Sequence, residues 1–220
     1  MKIHHLKEVT STNEVAKQHL EDGVIIVADT QTSGRGRHER TWHSPEGGLW
    51  CSLVVRHGPE PVVNLAAALA VAKTLEYFGL ETKLKWPNDV HIDQRKICGI
   101  LSETEDDFMI IGVGVNLNNK EFPEHISGTS YVSEIGKEID VMKFLEKFVE
   151  IFYTVVQEDF LREYRKYSST IGSRVTIKNG GEITGTAVDV DEQGRLILRL
   201  ENGKKMKIYS GEVLRLHQFQ

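Results

Sequence analysis

Cysteine is scarce in this chain of 220 residues, which has only two, Cys51 and Cys98. Each lies inside an apolar run, so we expect buried, reduced thiols and no disulfide framework. No apolar run approaches the roughly 20 residues that a membrane-spanning helix needs, and no signal peptide opens the sequence. These absences predict a cytoplasmic protein with no membrane partner.

Positive charge is also in short supply. The chain has 27 Lys and Arg residues against 32 Asp and Glu residues, a formal net charge of −5. Proteins whose main ligand is duplex DNA or RNA usually have a basic domain, so DNA is not an expected partner. No group of His, Cys, Asp and Glu residues has the spacing of metal ligands, and no Walker A loop is present, so no dedicated metal site is predicted.

Periodicity and turn residues divide most of the chain into strands and helices. Residues 61–78 form the strongest predicted helix, because they are rich in Ala and Leu, open with Pro61 and stop at Gly79. Asp140 is a plausible cap for a second long helix. The predicted strands are residues 3–9, 24–29, 49–56, 82–86, 89–93, 96–104 and 108–117, and the predicted helices are residues 14–21, 61–78 and 140–165.

The composition changes after Thr170. Beyond Arg174, short β-rich runs alternate with turn sequences such as Asn179-Gly180-Gly181 and Glu201-Asn202-Gly203, which are typical of hairpins. Short strands packed into so few residues predict a small barrel. We therefore expect two domains, residues 1–170 and residues 171–220.

A basic, glycine-containing loop covers residues 33–40, which we call the arginine loop. Its three arginines, Arg35, Arg37 and Arg40, supply planar charged forks that suit phosphate and carboxylate. Gly34 and Gly36 allow the backbone to approach a ligand closely. The pattern is as typical of a clamp for an anionic small molecule as of the two alternatives together, a solvated basic loop and a contact to a nucleic-acid backbone.

Two further segments indicate a ligand site. Lys96 opens the apolar run 97–101, where a buried ammonium would need an anion such as phosphate or carboxylate. The turn at residues 85–89 has the alternative interpretation of a polar hairpin tip. In residues 111–118, Gly112 and Gly114 remove side chains from one face of a strand, which favours either a flat ligand or close strand–helix packing.

Taken together, these segments resemble the biotin–protein ligases, also called biotin–acetyl-CoA-carboxylase ligases. The similarity covers nearly the whole chain. The matching segments, in the order of that family, are Ser11-Thr12-Asn13, Gln31, Gly34-Arg35-Gly36-Arg37 with Trp42, Lys85-Trp86-Pro87-Asn88-Asp89, Arg95-Lys96-Ile97-Cys98-Gly99-Ile100-Leu101 and Gly112-Val113-Gly114-Val115-Asn116.

The resemblance implies an α+β fold and a two-step reaction. The expected fold is a mixed or antiparallel sheet with packed helices, like class II synthetases, followed by a small SH3-like β-barrel. The expected reaction joins biotin and ATP to biotinyl-5′-AMP and then transfers biotin to a lysine of a biotin carboxyl carrier protein or domain. Mg²⁺ would arrive with ATP, and a homodimer is compatible with the sequence.

The resemblance also implies a role for each site residue. Lys96 and Arg37 would be catalytic, because they can neutralise the carboxylate and the α-phosphate as these two anions approach. The expected biotin-binding residues are Ser11, Thr12, Asn13, Gln31, Gly34, Arg35, Gly36, Arg37, Lys96, Gly99, Gly112 and Gly114. The expected ATP-binding residues are Arg37, Arg40, Trp42, Lys85, Asn88, Asp89, Lys96 and Asn116.

Two departures and three alternatives accompany this interpretation. Where many relatives continue the arginine loop with Arg-Gly, this chain has His38 and Glu39, which leaves the closed shape of the loop open. The similarity starts almost at residue 1, so we expect no DNA-binding helix-turn-helix and no repressor role. The alternative functions are a lipoate–protein ligase, a nucleic-acid-binding protein and a non-catalytic biotin-binding module.

Overall fold

The computed structural model describes residues 2–56, 60–119, 132, 136–178 and 180–217. Within these ranges the chain forms a large mixed sheet with helices packed on it and a smaller antiparallel sheet, as the fold prediction expected. No helix in the described part of the chain is long and apolar enough to cross a membrane. Both cysteines are free and buried, which confirms the prediction of reduced thiols.

The large sheet has seven strands in the order β1-β2-β3-β7-β6-β5-β4. Only β1 and β2 pair in parallel, and every other neighbouring pair is antiparallel. All seven predicted strands are present, with ends shifted by at most two residues. Their bounds are β1 Lys2–Val9, β2 Val24–Gln31, β3 Leu49–Arg56, β4 Lys83–Lys85, β5 Asp89–Ile92, β6 Arg95–Glu105 and β7 Phe108–Val115.

The predicted Ala- and Leu-rich helix is α2, Glu60–Tyr77. It contacts the sheet through β6 and β7 on one side and α3, Val141–Val155, on another, so apolar residues are needed around most of its circumference. Asp140 caps α3, because its side chain accepts a hydrogen bond that the backbone N–H of Lys143 donates at 3.0 Å.

Two predicted helices differ from the observed ones. The expected helix 14–21 is a single short helix, α1, Thr12–Ala16, because none of residues 17–21 is fully buried and among them only Leu20 packs against the core. The expected helix 140–165 is two helices, α3 and α4, Leu161–Tyr167. Residues 156–159 are all exposed, so an uninterrupted helix would have no apolar face there.

The smaller sheet has five antiparallel strands in the order β11-β10-β9-β8-β12, in line with a small SH3-like domain. Gly180, Gly194 and Gly203 have positive φ in its turns, as the hairpin signals predicted. Its apolar side chains belong to the same buried cluster as the core of the large sheet. The strands are β8 Arg174–Lys178, β9 Glu182–Val190, β10 Leu196–Arg199, β11 Lys205–Ile208 and β12 Glu212–His217.

Candidate functional site

A cavity of about 370 Å³ lies between the arginine loop, α1, the β4–β5 hairpin and the strands β6 and β7. Glu212 and Val213 of the smaller sheet also contribute to its wall. Among the predicted site residues, Gly34 is outside the wall. Those in the wall are Ser11, Thr12, Asn13, Gln31, Arg35, Gly36, Arg37, Arg40, Trp42, Lys85, Asn88, Asp89, Lys96, Gly99, Gly112, Gly114 and Asn116.

Gly34 lies directly behind that wall, in a place where no side chain fits. A Cβ atom at this position would come within 2.5 Å of the Trp42 carbonyl oxygen and 2.7 Å of Ser44 Oγ. The backbone of Gly34 instead accepts a hydrogen bond that the Trp42 N–H donates at 2.8 Å. Gly34 thus anchors the base of the arginine loop.

One end of the cavity, which we call the polar end, is a network of hydroxyl and amide groups. The backbone N–H of Thr12 donates to Gln31 Oε1 at 2.8 Å, and Gln31 Nε2 donates to Ser44 Oγ at 2.8 Å. Ser52 Oγ lies 2.8 Å from Thr12 Oγ1 and 2.6 Å from Asn13 Oδ1, and can donate to either acceptor. Because each group orients the next, the polar end is preorganised before a ligand arrives.

Asn13 is held against the glycine face of β7. Its Nδ2 donates to Glu103 Oε2 at 2.7 Å and to the Leu101 carbonyl at 3.3 Å, which directs Oδ1 toward Gly112. A Cβ atom on Gly112 would lie 2.4 Å from Asn13 Oδ1. The missing side chain at Gly112 therefore makes room for Asn13.

Trp42 lies on the other glycines of the same face. A Cβ atom on Gly114 would lie 2.4 Å from Trp42 Nε1, and one on Gly99 would lie 3.3 Å from the far edge of the indole. Lys96 Nζ is 5.1 Å from the centre of the Trp42 ring, within cation–π range. The glycine face of β6 and β7 thus seats an aromatic ring between the polar end and the lysine.

Lys96 is paired with Asp89 in the opposite end of the cavity, which we call the cationic end. Lys96 Nζ is 2.7 Å from Asp89 Oδ1, while His91 Nε2 is 3.9 Å from Asp89 Oδ2. Burial on its own would raise the pKa of Asp89, but the Lys96 ammonium and the His91 ring together outweigh it and lower that pKa to about 2. Asp89 is therefore ionised at neutral pH.

The three arginines of the arginine loop each have partners on other elements. Arg35 pairs with Glu14 of α1. Arg37 donates to the Gly211 carbonyl at 3.0 Å, and Arg40 donates to both carboxylate oxygens of Glu212 at 2.9 and 2.5 Å. The loop is thus pinned to α1 on one side and to the smaller sheet on the other.

The two residues that depart from the family pattern adopt an unusual backbone conformation. His38 and Glu39 have φ of 56° and 57°, in the left-handed region that glycine favours. A glycine in this place, as in the Arg-Gly of many relatives, would take that conformation without strain. The turn is formed in this chain all the same, because Gly36 N–H donates to the Arg40 carbonyl across it at 2.7 Å.

Several residues of the site were not found from the sequence. Ser52 was detectable in principle, because it is a lone hydroxyl inside the apolar run of β3. Glu14, Glu103, Gly211 and Glu212 had no such signal, because their roles depend on partners far away in the chain.

Two family models match the sequence. The biotin/lipoate A/B protein ligase family matches residues 6–116, and the biotin protein ligase C terminal domain matches residues 170–216. The first match covers the arginine loop and strands β1 to β7 of the large sheet, apart from the first residues of β1. The second covers all but the last residue of the smaller sheet.

The chain is similar to proteins of known function over most of its length. It is 34% identical over 226 residues to the bifunctional ligase/repressor BirA of Bacillus subtilis (strain 168), covering 92% of this chain and 69% of that protein. It is 34% identical over 215 residues to a biotin–(acetyl-CoA-carboxylase) ligase of Mycobacterium tuberculosis, covering 89% and 80%. Among solved structures, the biotin protein ligase from Aquifex aeolicus in complex with biotin and ATP matches with a TM-score of 0.90, 33% identity and 99% coverage of both chains.

Proposed function

The chain belongs to the biotin/lipoate A/B protein ligase family, and we propose that it acts as an ATP-dependent biotin–protein ligase. It activates biotin with ATP to biotinyl-5′-AMP and pyrophosphate. It then transfers the biotinyl group to a lysine of a biotin carboxyl carrier protein or domain. Relatives that are named biotin ligases, and a structural neighbour with biotin and ATP bound, support this assignment.

The observation that carries the proposal is the division of the cavity into a polar and a cationic end. Biotin has a urea ring at one end and a carboxylate at the other. The hydroxyl and amide groups around Thr12, Asn13 and Gln31 suit the urea, which both donates and accepts hydrogen bonds. Lys96 and Arg37 suit the carboxylate and the phosphate that it attacks.

Lipoate fits this cavity less well. Its dithiolane ring has no strong hydrogen-bonding groups, so it would cover the polar end without replacing the bonds that those groups make to water. The Mycobacterium tuberculosis relative and the structural neighbour cited above are likewise named biotin ligases. A nucleic-acid-binding role is not supported either, because Arg35, Arg37 and Arg40 pair with groups of the protein around the cavity.

In the first step, a carboxylate oxygen of biotin attacks the α-phosphorus of ATP, and the bond to the pyrophosphate oxygen breaks. Two anions meet in this step, and the transition state spreads negative charge over the α-phosphate. Lys96 and Arg37 are the groups that we infer to balance this charge. Asp89 holds the Lys96 ammonium 2.7 Å away, so the ammonium is already in place before ligand binding.

We infer that Mg²⁺ enters the cationic end bound to the phosphates of ATP. The described residues contain no group of three or more His, Cys, Asp and Glu side chains that could hold a metal ion. Mg²⁺ is commonly bound by one or two carboxylates together with substrate phosphates. Asp89 is an ionised carboxylate in the cavity wall and is the residue that we infer to serve it. When bound, the ion would neutralise charge on the leaving pyrophosphate.

In the second step, the lysine amine of the carrier attacks the carbonyl carbon of biotinyl-5′-AMP. An amide forms, the amine loses a proton, and AMP leaves with the oxygen of the mixed anhydride. Water competes with the amine for this anhydride, so the intermediate has to be covered. The arginine loop is placed for that task, because its partners on α1 and on the smaller sheet hold it at the cavity.

Pyrophosphate exchange tests the proposal. Labelled pyrophosphate should enter ATP when biotin is present and should not when lipoate replaces it. A biotin carboxyl carrier domain should then gain one biotinyl group on a lysine, read by mass spectrometry. Exchange that depends on lipoate and not on biotin would assign the chain to the other branch of its family.

A further inference from the structure

Trp86 ties the smaller sheet to the large one. Its side chain is almost fully buried, and Nε1 donates to the Gly194 carbonyl at 3.1 Å. Its backbone N–H donates to Thr170 Oγ1 at 3.0 Å, and Thr170 is itself fully buried in the connection between the two sheets. Trp86 therefore contacts both the connection and the turn between β9 and β10.

The turn that receives Trp86, residues 191–195, is organised by Asp191. Asp191 Oδ1 accepts hydrogen bonds that the backbone N–H groups of Gln193 and Arg195 donate at 3.1 and 3.0 Å. Asp191 Oδ2 accepts from Arg195 Nε at 2.8 Å and Nη2 at 2.5 Å. The Gly194 carbonyl lies between the two bound amides, so the Asp191 carboxylate fixes its direction.

Trp86 itself lines the cavity and leads directly into the cationic end. Asn88 and Asp89 follow it in the cavity wall, and Asn88 Nδ2 donates to the Ile100 carbonyl at 2.7 Å. Asp89 in turn holds Lys96. The polar end is held mostly by α1, β2 and β3, and its contacts to β6 are the bonds that Asn13 donates to Leu101 and Glu103. A small shift of the Trp86 ring would therefore move the cationic end and leave the polar end in place.

We propose that the 191–195 turn is a positioning element for the nucleotide, which acts through the Gly194 carbonyl and Trp86 on Asn88 and Asp89. This inference rests on the proposed function, because it assumes that ATP occupies the cationic end. The residues of the turn lie outside the cavity wall, so Asp191 touches neither substrate directly. The expected signature is weaker nucleotide binding with unchanged biotin binding.

Three variants and a control test the link in the full-length protein. Trp86→Phe keeps most of the ring and removes the N–H donor, and Asp191→Ala releases the turn. Asp191→Asn keeps an oxygen acceptor for the two backbone amides, so it should keep the wild-type affinity for the nucleotide. Glu201→Ala is the control, because it removes the partner of Arg174 in another turn of the same sheet.

Calorimetry measures the affinity for biotin and for a non-hydrolysable ATP analogue separately, and thermal unfolding is followed in parallel. Trp86→Phe and Asp191→Ala should each lower the affinity for the ATP analogue by about fivefold to tenfold, which is the effect of one lost hydrogen bond. Biotin affinity should stay at the wild-type level in both. Asp191→Asn and Glu201→Ala should bind both ligands like wild type.

Unchanged affinity for the ATP analogue in Trp86→Phe and Asp191→Ala would overturn the inference. Equal losses for both ligands would do so as well, because they would point to general destabilisation. Trp86→Phe keeps the test decisive if Asp191→Ala does not fold. Pyrophosphate exchange by the wild-type protein tests the proposed function separately. Absence of biotin-dependent exchange would refute that function, and the affinities for the ATP analogue would still test the link through Trp86.

Discussion

At the scale of single residues, Lys96 contacts three different groups of the cavity. It pairs with Asp89, lies over the Trp42 ring and covers Gly99, where a Cβ atom would meet Nζ at 3.1 Å. The sequence indicated an anion partner for this lysine. In the structure that anion is Asp89, which keeps the ammonium oriented in the cavity wall.

We expect Lys96→Ala to lower the rate of biotin-dependent pyrophosphate exchange by about 100-fold, the typical loss of one preorganised charge. The fold should survive, because Lys96 is partly exposed at the edge of the cavity. Lys83→Ala is the matched control, since Lys83 is an exposed lysine on β4, which is separated from β6 by β5. Exchange within a few-fold of wild type in Lys96→Ala would make the lysine a structural residue.

Asp89 predicts a specific pH dependence of stability. Its folded-state pKa is lowered from 3.8 to about 2, so the folded state binds the proton less readily than the unfolded state. The resulting stabilisation, about 2 kcal/mol, is fully present above pH ~4 and is lost as the pH falls toward 2. Urea unfolding of wild type and Asp89→Asn from pH 6 to pH 2 measures it. Parallel pH profiles for the two proteins would contradict the assignment.

At the scale of elements, the groups that hold the arginine loop lie far from it in the sequence. Three like charges, two glycines and no apolar residue gave no reason for order in residues 34–40. In the structure the loop is held by the carboxylates of Glu14 and Glu212 and by the backbone carbonyl of Gly211. Because these partners come from both ends of the chain, local sequence carries no sign of them.

We expect Glu212→Ala to release the far end of the arginine loop, since it removes both acceptors of Arg40. Trypsin should then cleave after Arg37 or Arg40 faster than in wild type, and biotin with ATP should slow the cleavage in both proteins. Glu201→Ala serves as the control, because its arginine partner lies in β8. Equal cleavage rates in wild type and Glu212→Ala would show that the ion pair does not hold the loop.

The sequence predicts the helices and strands whose residues are buried along their whole length. It does not predict the ends of helices at which burial stops. The strands and α2 follow from apolar runs bounded by glycine and turn residues. The ends of α1 and the break between α3 and α4 do not, because they depend on where the sheet ceases to offer an apolar surface. The cavity wall was largely predictable for a different reason: its residues occur in compact motifs. Their supporting partners, such as Ser52 and Glu103, come from other strands.

At the scale of the whole molecule, the two sheets share one core. Val175, Ile177 and Leu198 of the smaller sheet belong to the same buried cluster as Leu84 and Trp86 of the large one. The boundary near residue 170 and the two domains remain predictions. Two separate domains would each fold alone, whereas the shared core argues that residues 1–171 depend on the rest of the chain.

We therefore expect removal of residues 172–220 to lower the unfolding temperature sharply and to abolish biotin-dependent exchange. The truncated chain would expose Trp86 and lose the partners of Arg37 and Arg40. Circular dichroism during heating and pyrophosphate exchange measure the two effects. A truncated protein that unfolds at the wild-type temperature and keeps full activity would show the smaller sheet to be dispensable.

The parallel pair β1–β2 at the margin of the large sheet links ligand binding to local unfolding. β1 has one neighbouring strand, and the chain between β1 and β2 carries α1, whose five residues are too few to be helical by themselves. Detachment of β1 would therefore dismantle α1 and the polar end with it. A ligand at the polar end binds the attached state alone, so it should protect the amide hydrogens of β1 from exchange with solvent, including those far from the cavity.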